Sequence, residues 1–171
     1  MTTVLLSLGS NVQPTRYLPL AVAALRARFG QIEVSPAYRM PAVGFDGPDF
    51  VNNAVLMQTG MDLAALDHWL HALEDAHGRD RSGSRLSDRT LDVDVVFFGN
   101  CIVDGPGHLR IPRPELKHAF VLKPLTDIAP DFVDPLSGQT LAALWKAHPQ
   151  YGSAMTTVAL DAVELQLSAT Q

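Results

Sequence analysis

Two aspartates at alternate positions, Asp92 and Asp94, stand in the run Leu91-Asp92-Val93-Asp94-Val95-Val96-Phe97-Phe98. On a strand this spacing turns both carboxylates to one side and Leu91, Val93 and Val95 to the other. Two like charges so close repel unless something positive lies between them. Magnesium prefers carboxylate oxygens and fits that role. An isolated Asp-x-Asp is more often the solvated face of an edge strand, but the preceding segment changes the balance. Arg79, Arg81, Arg85 and Arg89 crowd into residues 79–89 of a chain with 13 Lys and Arg in all. Guanidinium groups match phosphate oxygens in two-pronged contacts. Arginines that hold phosphates, beside carboxylates that hold a bridging metal, are what phosphoryl transfer needs. Salt bridges to Asp80 and Asp88 would account for one or two of these arginines, not for all four.

Other candidates are weaker alone. Phe50-Val51-Asn52-Asn53 sets two amides on or beside a strand, and an amide offers both donor and acceptor to the edge of a heterocycle. A strand-edge or turn asparagine is the plainer alternative. Leu8-Gly9-Ser10-Asn11 reads as a strand leaving into a turn, without the glycine spacing or Gly-Lys-Ser/Thr of a P-loop. His68, His71 and His77 lie on or just after one helix with no metal motif around them, so surface or helix-end roles fit best. No Gly-x-Ser-x-Gly elbow supports a serine hydrolase.

The elements that must position these groups follow from pattern. Val4 to Leu8 is a short apolar run expected as a buried strand that ends in a turn at Gly9-Ser10-Asn11. Thr15 is expected to cap a helix with Leu18, Val22, Leu25 and Phe29 on one face and Gly30 as its stop. Ile32 to Tyr38 alternates as a strand, Pro41 to Pro48 is a loop, and Phe50 to Met57 is a strand again. Asp62 caps a helix carrying Leu63, Leu66, Leu70 and Leu73. Gly78 to Arg89 reads as a surface loop, and the aspartate-bearing strand ends at Gly99-Asn100. Short helices follow over Pro114 to Lys117, Phe120 to Ile128 and Thr140 to Trp145. Beyond Tyr151 the expectation is an added helix or a tail. The sum is an α+β sheet with helices on one face.

Composition narrows the classes. The chain has 171 residues, 47% hydrophobic and 18% charged, which favours one globular domain. We assign residues 1–150 to that domain and 151–171 to a C-terminal extension. A net charge of −5 argues against a general nucleic-acid coat protein. Cys101 is the sole cysteine, which excludes an internal disulfide and a cysteine zinc cluster. It is expected as a small buried apolar side chain. No apolar stretch is long enough to span a membrane. A cytoplasmic protein is expected, with no nucleic-acid or membrane partner, as a monomer that leaves a dimer open.

These motifs, in this order, resemble the 6-hydroxymethyl-7,8-dihydropterin pyrophosphokinase family of folate synthesis. The resemblance runs from Val4 to about Pro135. It rests on Leu8-Gly9-Ser10-Asn11, Tyr38-Arg39-Met40-Pro41 with Gly44, Phe50-Val51-Asn52, Leu73-Glu74, Gly78-Arg79-Asp80-Arg81 and Arg89-Thr90-Leu91-Asp92-Val93-Asp94. It continues through Ile111-Pro112, Phe120-Val121-Leu122, Pro124-Leu125 and Ile128-Ala129-Pro130. The resemblance implies a ferredoxin-like α+β fold with helices packed on the sheet. It implies an ATP-dependent diphosphokinase that moves the terminal diphosphate of ATP to the pterin hydroxymethyl group, with two magnesium ions. Asp92 and Asp94 would bind the metals, and Arg79 and Arg89 would be the catalytic-loop arginines. His71, Glu74, Arg81, Arg85, Arg110, Arg113 and His118 would lie on the nucleotide side. Met40, Pro41, Val43, Phe50, Asn52 and Phe120 would form the pterin pocket.

Two departures stand out. The family usually has Trp-Gly-Pro before its second catalytic arginine, and this chain has Leu86-Ser87-Asp88. Where the family usually has a histidine and then an arginine after the Ile/Val-Pro motif, this chain has Arg113 and His118, with one residue fewer between them. The alternative is therefore a low-activity pterin- or nucleotide-binding paralogue, against which the retained aspartates and arginines speak. An RNA-binding sheet would need exposed aromatics in an RNP-type motif. Only 7% of residues are aromatic and that motif is absent.

Overall fold

The computed structural model describes residues 1–41, 46–78, 90–105 and 109–160. The expected loop over 79–89, with Arg79, Arg81, Arg85 and Arg89, lies outside these residues, as does Val43.

The chain opens with β1 (Thr2–Ser10), followed by α1 (Pro14–Phe29). Two short strands, β2 (Glu33–Val34) and β3 (Ala37–Met40), lead to the long β4 (Phe50–Thr59). After α2 (Leu63–Ala76) comes β5 (Asp92–Phe98), then a small hairpin of β6 (Val103–Asp104) and β7 (Arg110–Ile111). A 3-10 turn over Pro114–Lys117 enters α3 (Ala119–Ile128), followed by α4 (Leu141–Lys146) and β8 (Thr156–Val158). The main sheet runs β5-β1-β4-β3-β8, with β2 also on β4, and every pairing is antiparallel.

Helices cover both faces of the sheet, not one as the pattern suggested. Val4, Leu6 and Leu8 of β1 join Val51, Val55 and Met57 of β4 and Val93 and Val95 of β5 against Leu18, Val22 and Leu25 of α1 and Leu66, Leu70 and Leu73 of α2. Leu5, Ala54, Val96 and Phe97 face the other way, onto Val121, Leu122 and Leu125 of α3 and Leu141 and Trp145 of α4. The lack of alternation in Val4-Leu5-Leu6 of β1 reflects this: a strand covered on both sides has no polar face to alternate with.

A bulge adjusts β5. Leu5 lies opposite Phe97 while Leu6 lies opposite Val95, which leaves Val96 as the extra residue. Phe97 therefore shares a face with Asp94 despite an odd spacing.

Local signals explain the helix starts. Asp62 Oδ1 accepts from Ala65 N at 2.8 Å, and Thr140 Oγ1 accepts from Ala143 N at 3.1 Å. The start of α1 differs from expectation: Pro14 is its first residue and Gln13, at φ 48°, holds the cap position in place of Thr15. Proline suits a first turn, where its missing N–H costs nothing. Ile32 to Tyr38 is two strands, broken at Ser35-Pro36, because proline cannot donate to a ladder. Gly9 and Ser10 belong to β1 and pair with Asn52 and Val51, so the expected turn begins later. Beyond Tyr151 the chain is neither helix nor tail as far as Leu160. The β-branched Thr156-Thr157-Val158 pairs with Arg39, Tyr38 and Ala37 as β8. Cys101, expected to be buried, is exposed just past the end of β5.

Candidate active site

The register of four strands sets one row of residues side by side. Asp92 of β5 lies opposite Gly9 of β1, Gly9 opposite Asn52 of β4, and Asn52 opposite Tyr38 of β3. Cross-strand partners share a face, so all four turn to the α3 side. The next row holds Asp94, Ser7 and Ala54. Both expected carboxylates thus stand on one face, as their spacing required, and the same face carries the candidate pterin-reading amide.

Gly9 is the floor of this arrangement. A Cβ there would come within 2.6 Å of Asn52 Oδ1 and 3.8 Å of Phe50 Cδ1. Asn52, only 6% exposed, therefore lies over the β1 backbone in space that any other residue would fill. Phe50 opens β4 opposite Met40, which brings three expected pterin-pocket residues together at one end of the strands. Pro41 follows Met40 and is exposed.

Glu74 answers the edge of the sheet. β5 is the terminal strand, and its Val93 N–H donates to Glu74 Oε2 at 2.7 Å. Glu74 is 2% exposed and ties α2 to the strand between the two aspartates. A hydrogen bond to an ionised carboxylate is stronger than a neutral one. His71, one turn earlier on α2, lies 3.8 Å from Asp67 Oδ1. His77 Nδ1 meets Leu73 O at 2.8 Å, a helix-end role.

Arg113 reaches the aspartates from the other side. Its backbone N–H donates to the carbonyl of the bulge residue Val96 at 3.0 Å. Its Nη2 lies 3.3 Å from Asp94 Oδ1 and its Nε 3.3 Å from Glu115 Oε2. The Nε–Glu115 contact is a charge contact without hydrogen-bond alignment. Burial pushes the Asp94 carboxyl well above the usual carboxylate range. The charge of Asp92 pushes the same way, Arg113 opposes, and Glu74 and Glu115 add to the rise. Arg110 turns instead to Asp104 across the β6–β7 hairpin, at 3.4 Å with both side chains exposed.

The start of α3 brings His118 and Phe120. Their rings stack in parallel, centroids 4.9 Å apart. Burial lowers the His118 pKa, with Lys117 and His148 in the same direction and Glu115 against. Burial thus favours the neutral form of this ring. Farther along α3, Asp127 accepts from the Tyr38 hydroxyl and from Lys123 Nζ. Burial, then that hydrogen bond and the Asp127 charge, raise the Tyr38 pKa, so its hydroxyl stays a donor. This network fixes α3, and with it Phe120, relative to the row. Gly9, Glu115 and the Tyr38–Asp127–Lys123 network escaped sequence reasoning. Gly9 and Tyr38 left a trace there, as parts of Leu8-Gly9-Ser10-Asn11 and Tyr38-Arg39-Met40-Pro41.

The donor set fits a hard cation of a particular kind. Among the described residues no group of three or more His, Cys, Asp or Glu forms a cage. Asp92 and Asp94 offer carboxylate oxygens, while Glu74 is engaged with Val93. Magnesium is typically held by one or two carboxylates together with substrate phosphates, and this site supplies the carboxylate part.

The antiparallel sheet, with Asp92, Asp94 and Asn52 on one face and helices on both, defines an α+β protein. Its fold is that of wild-type Plasmodium falciparum HPPK-DHPS crystallised with pteroate: TM-score 0.67 at 13% identity, over 84% of this chain and 41% of that one. The sequence model of the 7,8-dihydro-6-hydroxymethylpterin-pyrophosphokinase family matches residues 5–130. A 2-amino-4-hydroxy-6-hydroxymethyldihydropteridine pyrophosphokinase from Synechocystis is 39% identical over 80% of this chain and 71% of its own length. The protein of that name from Pseudomonas aeruginosa is 36% identical over 87% of this chain and 93% of its own. The chain belongs to this pyrophosphokinase family and has its ferredoxin-like fold. Among the described residues no helix is long and apolar enough to cross a membrane.

Proposed function

We infer that the protein transfers the terminal diphosphate of ATP to the hydroxymethyl group of 6-hydroxymethyl-7,8-dihydropterin, releasing AMP, as a step of folate biosynthesis. The observation that carries this reading is the single row Asp92–Gly9–Asn52–Tyr38. It sets a heterocycle-reading amide and a metal-ready carboxylate on one surface with only backbone between them. Two magnesium ions, held by Asp92 and Asp94 with the ATP phosphates, would neutralise the transferring group. Arg79 and Arg89 would stabilise it, with Arg81, Arg85, Arg113, Arg110, His71 and His118 toward the nucleotide. We place the reaction in the cytoplasm and the protein as a monomer.

Chemically, the pterin hydroxyl oxygen attacks the β-phosphorus in line as the bond from that phosphorus to the α–β bridging oxygen breaks. AMP carries away the electron pair and the hydroxyl proton passes to solvent. No described residue stands as a general base, so positioning and electrostatics supply the acceleration. Asn52 orients the heterocycle edge, Phe50 and Phe120 supply its apolar faces, and Glu74 keeps β5 in register beneath the carboxylates.

The test is AMP release from Mg-ATP in the presence and absence of hydroxymethyl dihydropterin. Pterin-dependent AMP formation is expected. Tight binding of both substrates with AMP at background would replace the enzyme reading by that of a binding paralogue.

A further inference from the structure

The counter-charge at Asp94 is tethered, and its tether is specific. Arg113 is held by its backbone N–H on Val96 O at 3.0 Å, and its side chain, 15% exposed, lies between two carboxylates. Nη2 is 3.3 Å from Asp94 Oδ1, and Nε is 3.3 Å from Glu115 Oε2. The Asp94 side chain is 28% exposed. Asp92 and Glu74 add further negative charge around the same point.

We propose that Arg113 is a built-in cation that competes with free divalent metal for Asp94, so that metal enters this site with nucleotide and not ahead of it. A guanidinium cannot lose its charge in a protein. Free metal must displace Arg113 from Asp94 and brings no acceptor of its own for the guanidinium. Metal that arrives on a polyphosphate brings acceptor oxygens to which the displaced guanidinium can turn. Arg113 thereby acts as a positioning residue through Asp94. The proposal rests on the functional reading for the identity of the polyphosphate and for Asp94 as a metal ligand; the Arg113–Asp94 pairing stands on the geometry.

The experiment titrates Mn2+ into the nucleotide-free protein and follows the free ion by electron paramagnetic resonance, with thermal unfolding to show that each variant is folded. Arg113→Met keeps an unbranched side chain while removing the charge, and it is expected to tighten Mn2+ binding about tenfold. Arg113→Lys, a point charge on a shorter reach, should fall between the two. Asp94→Asn should abolish the gain when combined with Arg113→Met. Unchanged or weaker Mn2+ binding in folded Arg113→Met overturns the proposal, as does a gain that survives Asp94→Asn. An AMP-release assay on the unsubstituted protein separates the two readings. Pterin-dependent AMP with no change in Mn2+ affinity sinks this proposal alone. A tenfold gain without AMP release sinks the function and leaves the competition standing.

Discussion

Asn52 and Asn53 are the same residue type one peptide apart on β4, yet they face opposite sides of the sheet. Asn53 lies opposite Leu8, which in turn lies opposite Val93, all toward α1 and α2. It is 0% exposed, and neither its Oδ1 nor its Nδ2 meets a protein partner among the described residues. Asn52 lies over Gly9 on the α3 side, in the row that ends at Asp92. On the first face the apolar core continues past this level of the strands. On the second it includes Leu5, Val96 and Phe97 and ends at Ala54, which shares its row with Ser7 and Asp94, and the next row is given to Asp92, Gly9 and Asn52. The sheet has thus finished one face as core and left the end of the other polar, the face to which the proposed function assigns the chemistry. An amide on the chemical face is useful, whereas the same amide on the core face carries a desolvation cost.

The sharpest way to break this comparison is at the carboxylates. Asp92→Asn or Asp94→Asn should lower AMP release on the order of 10³-fold with the fold retained. Near-normal turnover at ordinary magnesium would remove the chemical face from the argument. Next is Gly9→Ala, whose Cβ must displace Asn52. Turnover should fall roughly tenfold to a hundredfold through pterin misplacement, while ATP affinity measured by calorimetry stays close to normal. Unaltered pterin affinity would show that Asn52 does not read the heterocycle.

Smaller effects test the core face and the charges. Asn53→Leu should stabilise the protein by about 1 kcal/mol in urea unfolding and leave activity unchanged. A loss of that size would mean that the buried amide is well satisfied. The smallest effect concerns Asp94 in metal-free protein. Folding raises its proton affinity, so its carboxyl opposes folding above its ordinary value of 3.8, increasingly so until the folded group itself ionises. Asp94→Asn should therefore be the more stable form near neutral pH, and its advantage should shrink as pH falls toward 3.8. An advantage that grows on acidification would reverse the assigned sign.

Much of this was legible in the sequence because it is local. The alternate spacing of Asp92 and Asp94, the caps at Asp62 and Thr140, and the faces of α1 and α2 depend on neighbours within a turn or a strand. The family resemblance supplied the fold and the activity. What stayed hidden depends on cross-strand register and on what covers each face. No local period could tell that Val96 is an extra residue, or that Gly9 lies beneath Asn52. Thr156-Thr157-Val158 has the residues of a strand but finds its partner far back in the chain, at β3. Glu74 read as a nucleotide-side residue, yet the structure shows its carboxylate on a strand-edge N–H, a contact visible only once α2 and β5 are placed. Cys101 misled because its exposure depends on where β5 ends, not on the residue type.

The row across β5, β1 and β4 also acts as a gauge. Asp92 and Asn52 flank Gly9, so their backbones are two interstrand spacings apart, about 9.5 Å. Hydrogen-bonded ladders on both sides of β1 hold that interval. Side-chain changes at either end can weaken grip without altering span. Under the proposed function, that interval would measure a substrate from the edge that is read toward the group that reacts. An analogue whose side arm is one methylene longer would bind its ring normally and carry its hydroxyl past the mark.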